Sequence, residues 1–109
     1  MKVNPLAEMK TLVRDDGVAM TDFFGAQCAA GEGVSMGHAV FPPGTVVPPA
    51  SHTGDEYSFI LKGCARCRVG ETVHTMHAGS AGFIPAGEVH ESFNDTDEDC
   101  ELIWMLIEK

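Results

Sequence analysis

Twelve glycines and six prolines are spread through the 109 residues, so no segment runs far enough for a helical apolar period to repeat several times. The chain is therefore expected to be mostly β, without any helix longer than two turns. Short apolar runs bounded by turn residues occur near 18–24, 34–41, 57–62, 64–69, 72–77, 81–84 and 101–107. That spacing belongs to an antiparallel sandwich or small barrel, with at least eight strands. Residues 5–13, where Leu6, Met9, Leu12 and Val13 show weak periodicity, fit a short helix or an edge strand. Val69-Gly70-Glu71-Thr72 predicts a hairpin connection, and the acidic stretch 94–99 predicts a solvated turn before the last strand.

Charge narrows the partners. Seven basic residues stand against 16 acidic ones, a formal net charge of −9, which opposes nucleic acid phosphates and anionic lipid. Neither nucleic acid nor membrane is an expected partner. The length allows one domain spanning 1–109. No apolar run reaches membrane-span length and the N-terminus lacks the apolar core of a signal peptide, so a cytoplasmic protein is expected. The four cysteines, Cys28, Cys64, Cys67 and Cys100, are expected as free thiols. Cys64 and Cys67 form a C-x2-C, but residues three apart on a strand face opposite sides, and no second cysteine or histidine pair completes a zinc site. Gly31-Glu32-Gly33 and Gly79-Ser80-Ala81-Gly82 lack the strand-then-helix context of a phosphate loop, and no serine nucleophile motif is present.

Alternation within two strands adds detail. From 56 to 61 one face carries Glu56, Ser58 and Ile60 and the other Tyr57, Phe59 and Leu61. From 102 to 107 both faces are apolar, Leu102, Trp104 and Leu106 on one and Ile103, Met105 and Ile107 on the other. A strand apolar on both sides needs cover on both sides. Residues 1–35 supply N-terminal strands or an arm, which leaves either a homodimer, with or without exchange of N-terminal strands, or a fold-back of residues 5–24 to provide that cover.

Two constellations carry the chemistry. The first is Pro43-Gly44-x5-Ala50-x-His52-x3-Glu56-x6-Gly63 and the second Gly79-x5-Pro85-x-Gly87-x2-His90-x3-Asn94, with fifteen residues between Gly63 and Gly79. His52 and Glu56 lie four apart on one strand face, with Gly54 between them leaving space, and Pro85-Ala86-Gly87 is a turn signal just before His90. Two imidazoles and a carboxylate suit a divalent cation such as Fe(II), Mn(II), Ni(II) or Zn(II) with positions left open. The spacing resembles the cupin superfamily, specifically its small single-domain members of conserved-barrel type. Motif 1 covers 44–63 and motif 2 covers 79–94, and every anchor matches except that Ala50 stands where the family has its first histidine.

The resemblance implies an antiparallel double-stranded β-helix, a jelly-roll-like barrel, with His52, Glu56 and His90 as metal ligands. It also implies that Leu102 and Trp104 line a pocket with Ser58 and Ala50; the other reading of Trp104 is packing between sheets. His38 or His74 is a candidate to replace the ligand missing at Ala50, whereas His77 faces solvent. Such a site fits a metal-dependent enzyme acting on a small, partly apolar metabolite. The alternative is a non-catalytic cupin that senses or stores a small molecule.

Overall fold

The computed structural model describes residues 1–24 and 31–108. Among these residues a single 3-10 turn (Leu6–Glu8) precedes nine strands: β1 (Thr11–Val13), β2 (Ala19–Asp22), β3 (Val34–Phe41), β4 (Asp55–Lys62), β5 (Cys64–Val69), β6 (Thr72–His77), β7 (Ala81–Ile84), β8 (Glu91–Phe93) and β9 (Cys100–Ile107). Residues 5–13 divide into that turn and an edge strand. The strands form a six-stranded sheet ordered β1-β2-β3-β9-β4-β7 and a three-stranded sheet ordered β6-β5-β8. All pairings are antiparallel. Isolated bridges from Val46 to Phe93 and from Ala50 to His90 extend the small sheet beyond β8. The hydrogen-bonded ladders do not run continuously around the molecule, so the barrel is two facing sheets rather than a closed cylinder.

Register fixes which side chains face inward. Across the large sheet, Ala39, Leu102 and Ile60 share one row, Gly37, Trp104, Ser58 and Gly82 the next, and Ser35, Leu106, Glu56 and Ile84 the third. The first row is the core: Ala39 and Ile60 are almost wholly buried beside Val18, Ala65, Cys100 and Leu102. The second row depends on a glycine. A Cβ at Gly37 would stand 2.1 Å from the Thr21 carbonyl oxygen and 2.5 Å from the Trp104 ring, so the indole can lie on β3 only where no side chain intervenes.

The opposite faces of β4 and β7 stay outside, while Ile103, Met105 and Ile107 of β9 are half-buried. Tyr57, Phe59, Leu61 and Phe83 are 38%, 46%, 50% and 56% exposed, with the Tyr57 and Phe83 rings 5.1 Å apart. Residues 5–24 do not fold back over them. β1 and β2 instead lengthen the sheet edge beside β3, and Leu12 and Val13 are themselves exposed.

One strand lies outside the apolar runs of the sequence, and one expectation needs correction. β8 carries no apolar run of its own, since Glu91-Ser92-Phe93 pairs with β5 through backbone while its side chains remain half-buried. The 94–99 turn exposes its acidic side chains, but Asn94 is buried at its centre, 1% exposed. Its Nδ2 donates to the carbonyls of Phe41 and Glu98, both at 2.8 Å, and its Oδ1 accepts from Thr96 N and Oγ1 at 3.0 and 2.7 Å. Its backbone pairs with Gly44 and Thr45, so one residue ties the end of the second motif to the start of the first. Asn94→Ala strands several buried partners at once, and a loss of about 3 kcal/mol of unfolding free energy is expected in urea titration; a loss below about 1 kcal/mol would contradict this account of the turn.

Candidate metal centre and its pocket

Backbone ties between the two motifs build the site. The Oδ1 of Asp55 accepts from the Ala86 amide at 2.9 Å, and the His52 carbonyl accepts from the Gly87 amide at 2.8 Å. The 85–87 turn is thereby clamped onto the segment 52–55. Just beyond it, Ala50 and His90 exchange backbone hydrogen bonds, Ala50 N to His90 O at 3.0 Å and His90 N to Ala50 O at 2.9 Å. Gly54 permits the close passage of this segment, since a Cβ there would lie 2.8 Å from the Ile107 carbonyl oxygen.

The clamp brings His52, Glu56 and His90 together. Their nearest potential ligand atoms all lie within 4.8 Å of one another. His52 Nε2 is 3.6 Å from Glu56 Oε1, His90 Nε2 is 3.9 Å from Glu56 Oε2, and the two imidazole centroids are 5.2 Å apart. These gaps exceed ordinary hydrogen-bond length, so the three groups converge on a common point without fully satisfying one another. His90 is 8% exposed, and its Nδ1 donates to the Glu88 carbonyl at 3.0 Å. A carbonyl can only accept, so the proton sits on Nδ1 and Nε2 is turned toward the cluster, the arrangement that orients a ligating histidine.

The three residues line a cavity of about 720 Å³, a size suited to a small ligand. Ala50, Ser58, Leu102 and Trp104 all line it, and Leu106, Met76 and Phe41 extend its apolar wall. Trp104 is thus both wall and packing element, because its indole also rests on the core through Gly37. Its Nε1 is buried with no acceptor among the described residues, so the residue shapes the wall by its ring. His74 lines the cavity but lies outside the ligand cluster. His38 is on the outer face, in register with Ile103, where its Nε2 is 3.3 Å from Glu101 Oε1. Neither of them replaces the donor missing at Ala50. His77 is exposed.

Sequence reasoning passed over Asp55 and Glu88. Asp55 is adjacent to a ligand candidate yet serves the turn, and the role of Glu88 toward His90 uses its carbonyl, which no side-chain pattern reveals. Cys67 is buried in the cavity wall between Ser92 and His74, and burial raises its thiol above the usual range. Cys100, in the core, is pushed up to about 11 by burial. Among the described residues Cys64, Cys67 and Cys100 are free thiols, while Cys28 lies outside them. Iodoacetamide at pH 8 followed by peptide mapping should therefore label Cys64 in the native protein well before Cys67 or Cys100, and Cys100 only after denaturation. Labelling of native Cys100 as fast as Cys64 would contradict its placement.

The family model described as a cupin domain, Cupin_2, matches residues 37–106, well over half of the chain. This protein belongs to the cupin family. The polyketide cyclase RemF from Streptomyces resistomycificus superposes with a TM-score of 0.85, covering 100% of this chain and 80% of RemF at 16% identity. A Cupin 2 conserved barrel domain protein from Salinispora arenicola gives 0.81, covering 99% and 89% at 19% identity. Both likenesses establish the fold. Among curated sequences, the endoribonuclease YbeY of Myxococcus xanthus is 28% identical over 101 residues, 93% of this chain. The chain spans about a third of the length of that relative (34%). No helix among the described residues is long and apolar enough to cross a membrane.

Proposed function

We propose that this cupin binds a divalent transition metal through His52, Glu56 and His90 and uses it on a small, partly apolar metabolite held in the adjoining cavity. The convergence of those three residues, with His90 Nε2 turned toward them by the Nδ1 bond to the Glu88 carbonyl, carries the reading. Two imidazoles and one carboxylate match the donor preference of Fe(II), Mn(II), Ni(II) and Zn(II). Bound there, the metal supplies Lewis-acid polarisation of a substrate oxygen or activation of dioxygen. The chain's own residues do the rest. Leu102, Trp104 and Leu106 bury the apolar part of the ligand, Ser58 offers one hydroxyl near the polar end, and the apolar wall excludes water from the reacting groups. A net charge of −9 argues against a polynucleotide substrate.

Metal analysis of protein purified and then dialysed against Fe(II), Mn(II), Ni(II) or Zn(II) tests the assignment. One equivalent is expected in the wild type, with affinity reduced at least tenfold in His52→Ala and His90→Ala, since each leaves two donors. Unchanged stoichiometry and affinity in both variants would rule the site out. Ala50→His should raise affinity, because the new imidazole would stand beside His90 on the same strand-pair face. Binding of small ligands by the loaded protein without turnover would assign it to the sensing or storage class rather than to the enzymes.

The protein also works as a homodimer in this reading. Tyr57, Phe59, Leu61 and Phe83 form an exposed apolar face on the large sheet, and Val3, Leu6, Leu12 and Val13 add exposed apolar residues on the N-terminal segment. A two-fold partner presenting the same face would cover the first set, with exchange of N-terminal segments covering the second. Light scattering at micromolar concentration should give about twice the 11.6 kDa chain mass. A monodisperse species at the chain mass would exclude the dimer.

A further inference from the structure

The pattern of side chains that meet the cavity differs from strand to strand. Successive residues of a strand point to opposite faces, so a cavity confined between two sheets touches every second one. The inner strands obey this, with Glu56 and Ser58 lining it from β4 and Leu102, Trp104 and Leu106 from β9. β6 and β7 do not. His74, Thr75 and Met76 are consecutive, as are the residues from Ala81 to Ile84, and all of them line the cavity. β7 is an edge of the large sheet, β6 is an edge of the small one, and the 78–80 turn joins them. Among the described residues no backbone hydrogen bond links the one strand to the other. The cavity therefore runs out between these two edges.

A row of small side chains leads inward from this seam. Gly82 is in register with Ser58, and Ser58 with Trp104. Two strand spacings, about 10 Å, separate Gly82 from the tryptophan. Gly82 lies within a strand and has no left-handed backbone, so what it supplies is space: a Cβ there would stand 2.8 Å from Ser58 Oγ and 3.2 Å from Met76 Sδ. Met76 reaches this spot from the small sheet, and its unbranched, freely rotating side chain can turn aside. The segment 72–84 contains no Asp, Glu, Lys or Arg, in a chain of net charge −9. An ion crossing such a lip sheds water without gaining a charged partner, whereas a neutral molecule has less hydration to lose.

We propose that small neutral molecules enter the cavity from the side, between β6 and β7, and that Gly82 and Met76 set the width of the opening. Gly82 is then a specificity-determining position. The route needs no metal at the cluster of His52, Glu56 and His90, so it stands or falls apart from the metal reading.

Trp104 is the one tryptophan of the chain and lines the cavity, so its fluorescence reports on entry. Quenching by acrylamide, a neutral molecule, is measured at pH 8 with lifetimes to give the bimolecular quenching constant. Gly82→Val should lower that constant at least threefold and Met76→Ala should raise it at least twofold, whereas Ala50→Leu, beside the cluster, should leave it unchanged. Caesium ion, with each quencher scaled to its action on free N-acetyltryptophanamide, should quench at least fivefold less than acrylamide despite the acidic protein. Circular dichroism checks that each variant is folded, and Met76→Ala decides alone if Gly82→Val is not. Loss of quenching in Ala50→Leu with none in Gly82→Val, or no response to either seam substitution, overturns the side entrance. Caesium equal to acrylamide overturns its restriction to neutral molecules.

Discussion

The site depends on the clamp between the 85–87 turn and the segment 52–55. His52 and Glu56 come from the strand region of the first motif, whereas His90 enters from the small sheet, so nothing in either sheet's own ladder sets their separation. The bonds from Ala86 to Asp55 and from Gly87 to His52, with the mutual pair between Ala50 and His90, set it instead. Each is an ordinary hydrogen bond worth about 1 kcal/mol net. Their value lies in geometry, because four bonds over a few residues leave the imidazoles little freedom to part.

The crossing between the two sheets also needs close backbone approach at a glycine. Gly63 sits with a positive φ of 78°, and a Cβ there would lie 2.3 Å from the Asp99 carbonyl oxygen. The chain crosses at this point from the large sheet into the small one, passing over the start of β9. Asn94 fastens the other end of the same region by joining the 94–98 turn to Phe41 and Gly44. The two sheets thus meet through a few fixed crossings, and the cavity is the space those crossings hold open.

Much of this was legible in the sequence, for reasons that differ by element. Strands β3 to β7 and β9 were visible because turn residues bound them and their apolar runs are several residues long. The inward set Glu56, Ser58 and Ile60 followed from period-two alternation. β8 was signalled only by the 85–87 turn ahead of it, because three residues with half-buried side chains carry no pattern; it exists through pairing with β5. For β9, alternation alone could not say which face looks inward, because both are apolar. The register with Gly37 decides it, as only the face bearing Trp104 can rest on a residue without a side chain. Asp55 was overlooked for a related reason, since an acidic residue beside Glu56 looks like a solvated charge until its turn partner is known.

An alanine beside His90 would shift the balance between holding the proposed metal and using it. A fourth imidazole would add a donor and tighten the site, but it would also fill the side of the cluster that opens on the apolar cavity. With a methyl there, a cation bound as proposed would depend on three donors, and a ligand entering the cavity could complete its coordination. Metal and ligand binding then become linked, since each lowers the free energy of a state the other prefers. The apolar wall strengthens that linkage. Where Leu102, Trp104 and Leu106 exclude water, charge on a bound oxygen is screened less than it would be in solvent, and its attraction to the cation grows accordingly. If the proposed metal binds there, a site of this form would give up resting affinity for it in exchange for dependence on the molecule that enters the cavity.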